Sequence, residues 1–370
     1  MEQFTVPKPL LLQLCKLAGS NGQREARLVL NQLSSILQKQ DVAFASEIAK
    51  LGGANILPRG AVRKQDIIPV DQETRMHLLR IVESVVLPHE PVWDATVEDG
   101  LNYILDERRQ LPALVAAGMT PSKAALFTGP PGVGKTFAAY WLARELNKPL
   151  RILDLATVIS SYLGRTGVNI RYVMDYAKNE DCVLLIDELD SLGKRRDDDQ
   201  DVGELKRLVT VLLQELDDWP GENLLIAATN HPELLDRALW RRFDPIIEFG
   251  YPKESTVKTW IKQYWSENSP WPKSDAELSS SVIAIAMKGS SYNDIEHQIQ
   301  RIFKQSVLKN ISEYDALALL VKQHLALIPD KEKRQIAYIL EKPIGQRKAS
   351  ELTGVARNTI REHRRNNAKA

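Results

Sequence analysis

The sequence predicts an α/β fold in which a parallel β-sheet is covered by helices on both faces. Five short apolar runs occur between about residues 97 and 250, and stretches with helical spacing separate them. Runs without polar alternation are typical of strands buried on both faces, and helical crossovers join parallel strands. The 370 residues, 44% hydrophobic and 26% charged, are ordinary for a globular chain of two or three domains.

The elements follow in order along the chain. Residues 1–60 are predicted to form a helical domain, because leucines recur at helical spacing and Asn21-Gly22 separates two helices. Residues 61–97 are predicted to be a proline-rich linker with one helix at about 71–86. The large α/β part is predicted at 98–250, a helical lid at 251–310 and a basic helical segment at 311–370. The predicted strands are Ala124–Phe127, Leu150–Leu153, Cys182–Ile186, Leu224–Ala228 and Ile246–Phe249.

Composition narrows the class and location of the protein. Cys15 and Cys182 are too few for a disulfide framework or a cysteine-based zinc site. No apolar run approaches the ~20 residues that span a bilayer, and Met1–Leu17 lacks the features of a signal peptide. We therefore expect a soluble protein of the reducing cytoplasm without a membrane partner.

A phosphate-binding motif follows the first predicted strand of the α/β part. Its residues match the pattern G-x-x-x-x-G-K-[ST] between a strand and a helix. They are Gly129, Pro130, Pro131, Gly132, Val133, Gly134, Lys135 and Thr136. Backbone N–H groups of such a loop, with the following helix N-terminus, point at phosphate oxygens. Lys135 is expected to reach the β- and γ-phosphates, and Thr136 to offer its hydroxyl to Mg²⁺.

Two acidic residues end the third predicted strand. Asp187 and Glu188 directly follow the apolar run Val183–Ile186. The first acid is expected to hold the Mg²⁺ shell, and the second to polarise an attacking water as general base. An isolated Asp-Glu pair can also be an acidic helix N-cap, but the phosphate motif upstream favours the catalytic interpretation.

Together these motifs resemble the AAA+ ATPase family over about residues 98–310. The resemblance implies a P-loop NTPase with a five-stranded parallel sheet in the order 5-1-4-3-2, a helical lid, and hydrolysis of ATP with Mg²⁺. Asn230 occupies the sensor 1 position, where the family contacts the γ-phosphate and the attacking water. Arg241 and Arg242 resemble arginine fingers that face the nucleotide of a neighbouring subunit. Their Arg-Arg-Phe form is closest to the katanin, spastin and fidgetin group.

Further segments resemble the substrate-handling parts of the family. Tyr162, Leu163 and Gly164 resemble an aromatic–aliphatic–glycine loop that lines the pore of a ring, so a hexamer that threads a protein substrate is implied. Tyr162 can alternatively be a tyrosine packed on the core at a surface turn. A second pore loop at Arg195–Glu204 can equally be a solvated charged loop. The motif Gly289–Ile295 resembles the lid motif near adenine, with Tyr292 in place of its second glycine.

The overall layout also resembles stand-alone bacterial AAA ATPases, some of them encoded beside a subtilisin-like protease in anti-phage defence operons. The local cues are Glu107–Arg109, Ala117–Pro121, Gly203–Arg207 and Ala228–Leu235. This resemblance implies a subtilisin-like protease as partner, and recruitment of substrate or adaptor by residues 1–60.

The C-terminal residues 331–370 are strongly basic. They hold eleven Lys and Arg against four acids, a net charge of +7 in a chain of net charge +1. Gln346–Leu352, the turn Thr353-Gly354-Val355 and Ala356–Arg365 resemble a helix-turn-helix. Its recognition helix would begin with Arg357, Asn358, Thr359 and Arg361. Two alternatives stay open: DNA binding, within an ATP-switched DNA-associated regulator, or a basic hairpin that docks on the ATPase body or a partner.

Overall fold

The structure is a computed structural model that describes residues 78–161, 166–193, 199–271 and 274–367. The chain divides into two compact units, Met1–Ile68 and Pro69–Ala370, and all described residues belong to the second. The predicted helices of residues 1–60 and the predicted pore-loop residues Tyr162, Leu163 and Gly164 lie outside the described residues. The same holds for the start of the predicted second pore loop, residues 195–198.

Six strands form one mixed sheet. They are β1 (Arg80–Val82), β2 (Ala124–Thr128), β3 (Leu150–Asp154), β4 (Val183–Asp187), β5 (Leu224–Thr229) and β6 (Ile246–Glu248). The order across the sheet is β1-β3-β4-β5-β2-β6. All neighbours are parallel except β1, which is antiparallel to β3. Because β2, β5 and β4 are parallel neighbours, their carboxyl ends meet at one edge of the sheet.

The sixth strand corrects two expectations. A purely parallel sheet of five strands was expected, and a helix at about 71–86, whereas Arg80–Val82 is a strand at the sheet edge. Leu78 and Leu79 are buried in the core beside it, and the Arg80 guanidinium donates to the Tyr140 hydroxyl. The branched residues Ile81 and Val82 pair with the open edge of β3, and this non-local pairing outweighs a weak local helical pattern.

Helices cover both faces of the sheet. They are α1 (Ala95–Arg109), α2 (Leu111–Ala116), α3 (Lys135–Glu145), α4 (Leu155–Ser161), α5 (Thr166–Lys178), α6 (Asp199–Asp217) and α7 (Arg237–Trp240). Strand β4 shows why two layers form: Val183 and Leu185 join the apolar cluster of α1 and α3, whereas Leu184 and Ile186 join that of α5 and α6. Alternate side chains of a strand point to opposite faces, so an all-apolar strand needs a cover on each side.

All but the last of the remaining helices contribute to a second core. The remaining helices are α8 (Glu254–Asn268), α9 (Ala276–Ala286), α10 (Tyr292–Lys309), α11 (Glu313–His324), α12 (Asp330–Thr353) and α13 (Arg357–Asn367). The buried carboxylate of Glu313 ties this core together, accepting from Trp265 Nε1 at 3.0 Å and from the backbone N–H of Asp275 at 3.1 Å. Ile336 and Leu340 of α12 belong to the same apolar cluster as Trp265. The core thus runs across residue 310, where the boundary between lid and C-terminal segment stays a prediction.

Among the helices of the described residues, none combines the length and the apolar character required to cross a bilayer.

Candidate functional site

The predicted phosphate loop joins β2 to α3. A Cβ at Gly129, which has φ 137°, would lie 1.9 Å from the carbonyl oxygen of Phe249, so only glycine fits there. Gly134 has φ 103° and immediately precedes α3. The side chain of Val133 is buried in the core beneath the loop. These positions hold a curved backbone at the N-terminus of α3, an arrangement suited to binding an anion.

Lys135 is held inside this loop. Its Nζ donates to the carbonyl oxygens of Gly129 at 2.6 Å and Pro130 at 2.8 Å, and to Asn230 Oδ1 at 2.7 Å. Burial lowers the pKa of Lys135 to about 8, and the nearby carboxylates Asp187 and Asp190 oppose that shift. The structure therefore brings together two residues that lie far apart in sequence, Lys135 and Asn230, through a direct hydrogen bond.

Thr136 and Asp187 also meet. The hydroxyl of Thr136 donates to Asp187 Oδ2 at 3.0 Å, while Asp187 Oδ1 accepts the backbone N–H of Glu188 at 3.0 Å. A hydroxyl and a carboxylate are the hard oxygen ligands that Mg²⁺ prefers, and one or two such protein ligands suffice when phosphates supply the others. These two side chains fit the magnesium position that the sequence predicts.

Glu188 has an unusual backbone conformation. Its φ of 56° and ψ of 46° lie in the left-handed region, at the start of the 3₁₀ helix Leu189–Leu192. A non-glycine residue held there costs about 1–3 kcal/mol, and such residues cluster at functional sites. Its exposed side chain lines the same cavity as Lys135 and Asp187.

Asp190 is a site residue that sequence reasoning missed. It is buried, with 1% of its surface exposed, and accepts hydrogen bonds from the Thr229 hydroxyl at 3.1 Å and the Asn230 N–H at 3.2 Å. It thereby links the segment after β4 to the end of β5 and fixes the backbone of Asn230. Its position three residues after Asp187 was the available signal, but an acid at that spacing does not reveal which backbone it will meet.

A cavity of about 390 Å³ opens between these polar groups and the lid helices. Besides the loop, the acids and Asn230, it is lined by aromatic side chains from the linker and from three helices. They are His89, Trp93, Phe137, Trp260 and Tyr292. The cavity thus has an aromatic end besides its phosphate-loop and acidic groups, as a nucleotide with a base and phosphates requires.

The aromatic end is fixed by contacts that no local motif predicts. The His89 ring stacks on Phe137 with centroids 5.0 Å apart, and Trp260 meets Tyr292 edge to face at 5.5 Å. The Tyr292 hydroxyl donates to the Val92 carbonyl at 2.8 Å. Tyr292 therefore ties the lid to the linker, which gives a structural purpose to the residue that replaces glycine in the lid motif.

The two predicted arginine fingers lie just after α7. Both Arg241 and Arg242 are exposed, and neither is among the residues that line the cavity. Arg242 donates from Nε and Nη2 to the two oxygens of Asp217 at 2.9 and 3.1 Å. This ion pair lowers the pKa of Asp217 and raises that of Arg242. The structure thus separates these arginines from the other predicted site residues of their own chain.

Comparison with known proteins finds similarity over part of the chain. Residues 125–251 match the family model described as "ATPase family associated with various cellular activities (AAA)". This part of the chain is therefore similar to the AAA ATPases. These enzymes hydrolyse ATP and use Mg²⁺.

Three relatives are similar to parts of this chain. An uncharacterized AAA family ATPase, y4kL, of Sinorhizobium fredii is 36% identical over 215 residues, which cover 57% of this chain and 63% of the relative. A peroxisomal ATPase pex6 of Schizosaccharomyces pombe is 37% identical over 157 residues, 40% of this chain and 17% of the relative. A proteasome-activating nucleotidase of Methanoculleus marisnigri is 31% identical over 202 residues, 50% of this chain and 48% of the relative. The chain spans less than two thirds of the length of these relatives.

Proposed function

We propose that this protein hydrolyses ATP to ADP and phosphate and uses the free energy to remodel a protein substrate. The observation that carries the proposal is the convergence of three parallel strands on one cavity. Strands β2, β5 and β4 are neighbours, and their carboxyl ends bring Lys135, Asn230 and the Asp187–Glu188 pair together. The similarity to the AAA ATPases supplies the family context for ATP hydrolysis.

The proposed roles follow from the contacts of each side chain. Lys135 exchanges its bonds to two loop carbonyls and Asn230 for phosphate oxygens, and an adjacent anion favours its charged form. Thr136 and Asp187 supply oxygens to Mg²⁺, which when bound neutralises phosphate charge. Asn230, once released by Lys135, orients a water molecule. Glu188 accepts the proton of that water as general base.

Arg241 and Arg242 are proposed to act across a subunit interface. Both are exposed and lie away from the cavity of their own chain, as a residue that serves a neighbouring site requires. An arginine placed on the transferring phosphoryl group from another subunit is worth about 10³–10⁵ in rate. The bidentate pair with Asp217 holds the Arg242 guanidinium in one orientation.

A hexameric ring and a protein substrate complete the proposal. One relative is named for activating a proteasome, which favours a protein substrate and a protease partner here as well. Grip by Tyr162, Leu163 and Gly164, membership of the katanin-like group, a cytoplasmic location, and a subtilisin-like protease in anti-phage defence stay predictions from the sequence resemblance.

The ATPase rate of the full chain, measured with and without an unfolded polypeptide such as reduced casein, tests the function. The proposal expects Mg²⁺-dependent turnover that unfolded polypeptide stimulates and that Lys135→Ala abolishes through loss of ATP affinity. Duplex DNA added in place of casein is the comparison. Absence of turnover overturns the enzymatic proposal, and stimulation by DNA alone overturns the choice of a protein substrate.

A further inference from the structure

The C-terminal helices form a small unit of their own beyond the lid core. Helix α12 is interrupted at Gly345, which has φ 82° and ψ 154°, so its last part, Gln346–Thr353, runs as a separate short helix. Ala349 of that part, Ala337 before the break and Ile360 of α13 are fully buried against one another. Gly354, with φ 73°, ends the short helix in the left-handed conformation that glycine favours. The short helix Gln346–Thr353, the turn at Gly354 and α13 therefore follow one another as a helix-turn-helix.

Hydrogen bonds fix the turn. The Gly354 N–H donates to the Ser350 carbonyl at 2.9 Å, and the Ser350 hydroxyl donates to the Val355 carbonyl at 2.7 Å. Gln346 Nε2 donates to the Arg357 carbonyl at 2.6 Å, which joins the start of the short helix to the start of α13. These hydrogen bonds therefore fix the orientation of α13 relative to the short helix.

The outward face of α13 is almost entirely cationic. Five exposed residues share it: Arg357, Asn358, Arg361, Arg364 and Arg365. At about 100° per residue they fall within about a third of the helix circumference, opposite the half-buried Thr359 and His363. The single acid of α13, Glu362, lies outside that arc.

Most of the positive charge on this face of α13 has no carboxylate of the described residues close enough to compensate it. Arg364 is 75% exposed at its side chain and its Nη1 lies 3.9 Å from Glu341, a long contact. Neither Arg357 nor Arg361 forms an ion pair within the part of the chain that the structure describes. Glu351 of the short helix instead pairs with Arg347 at 2.9 Å. The face thus presents guanidinium groups to solvent.

We propose that α13 binds duplex DNA in the major groove, with its arginines on backbone phosphates and Asn358 at a base edge. Planar guanidinium groups match phosphate oxygens, and asparagine can pair with adenine through two hydrogen bonds. The helix that follows the turn in a helix-turn-helix reads bases with its N-terminal residues, where Asn358 stands. The five residues of the face include no tryptophan or tyrosine, the aromatic anchors that protein–protein contacts use besides arginine. This site is independent of the proposed ATP hydrolysis.

Salt dependence of DNA binding tests the proposal quantitatively. Each phosphate contact contributes about −0.9 to the slope of log affinity against log salt. Four arginine contacts therefore predict an affinity loss of about 150-fold between 50 and 200 mM salt. The variant Arg361→Ala/Arg364→Ala should retain two contacts and lose only about 12-fold over the same range. The measurement is fluorescence anisotropy of the full chain with a labelled 30-base-pair duplex of mixed sequence.

A matched control separates this face from general positive charge. The variant Arg301→Ala/Lys304→Ala removes two exposed charges from α10 and should leave the salt slope unchanged. Deletion of residues 331–370 is a poor test, because Ile336 and Leu340 are fully buried in the lid core. The exposed substitutions avoid that damage, and unchanged ATPase rates would confirm that the fold is intact.

Selection of binding sites from a random duplex pool tests Asn358. The proposal expects Asn358→Ala to lose discrimination of about 5- to 150-fold at one base pair while the salt slope stays the same. Absence of DNA binding at 50 mM salt, or an equal effect of the α10 control, overturns the proposal and leaves α13 as a docking surface for an acidic protein. Because ATPase activity is measured separately, this outcome is distinct from failure of the enzymatic proposal.

Discussion

Replacement of Asp190 by alanine tests how the site is held together. The substitution removes the acceptor for two donors, the Thr229 hydroxyl and the Asn230 N–H. Thr229 is 1% exposed, so its stranded hydroxyl costs about 1–3 kcal/mol, and the half-buried Asn230 N–H adds about 1 kcal/mol. We expect the free energy of unfolding to fall by about 2–4 kcal/mol. Both donors bond to Oδ1, so Asp190→Asn can keep both bonds to a neutral acceptor and should lose about half as much, because bonds to a charged group are the stronger ones.

The same variant should impair catalysis more than ATP binding. Asn230 loses the bond that fixes its backbone, and a misplacement of about 1 Å can cost 10²-fold in rate. Urea unfolding followed by tryptophan fluorescence measures the stability, and single-turnover hydrolysis measures the rate. Asp218→Ala, which removes an exposed carboxylate, is the control. A change below 0.5 kcal/mol in Asp190→Ala, with an unaltered rate, would refute the assignment of Asp190 as the link between β4 and β5.

Three further predictions concern the nucleotide and the substrate. Arg241→Ala and Arg242→Ala should reduce hydrolysis far more than ATP binding, and mixing Arg242→Ala with Glu188→Gln subunits should restore part of the activity; full specific activity in diluted monomers would contradict this. ATP affinity should decline as pH rises past about 8, because the ammonium of Lys135 loses its proton there. The stability of the nucleotide-free protein should instead increase between about pH 8 and pH 10.5, the usual pKa of a lysine. In that range the Lys135 side chain is protonated only in the unfolded chain. Titrations at pH 7 and 9.5 check both, and Lys135→Met should flatten both profiles. Tyr162→Ala should spare basal ATPase activity and abolish work on a protein substrate, and unchanged processing would leave Tyr162 as a packing residue.

Local patterns were sufficient for much of the fold. The apolar runs located strands β2 to β6 to within about one residue, because strands buried on both faces need uninterrupted apolar sequence. The sequence also predicted the helix-turn-helix, in which Ala349 and Ile360 are fully buried and Leu352 and Val355 are half-buried. Short-range spacing determines each of these features.

The features that the sequence did not predict depend on contacts between residues far apart along the chain. Strand β1 forms because it can pair with the open edge of β3, and the local sequence Arg80–Val82 does not predict that pairing. The aromatic end of the cavity joins His89 of the linker to Phe137 and the lid, a meeting that depends on the packing of the whole domain. The glycine-rich loop and the Asp187–Glu188 pair were recognisable because each motif carries its function within a few consecutive residues.

Turnover by Glu188→Gln most directly tests the claim that the cavity is an ATP-hydrolysing site. The substitution keeps Lys135, Thr136 and Asp187, so the affinity for ATP should stay within about threefold of wild type, while loss of the general base should lower the hydrolysis rate by about 10²–10⁴-fold. Glu222→Gln, at an exposed position outside the cavity, should hydrolyse ATP at the wild-type rate. A Glu188→Gln protein that binds ATP and turns it over at half the wild-type rate or faster would contradict the account.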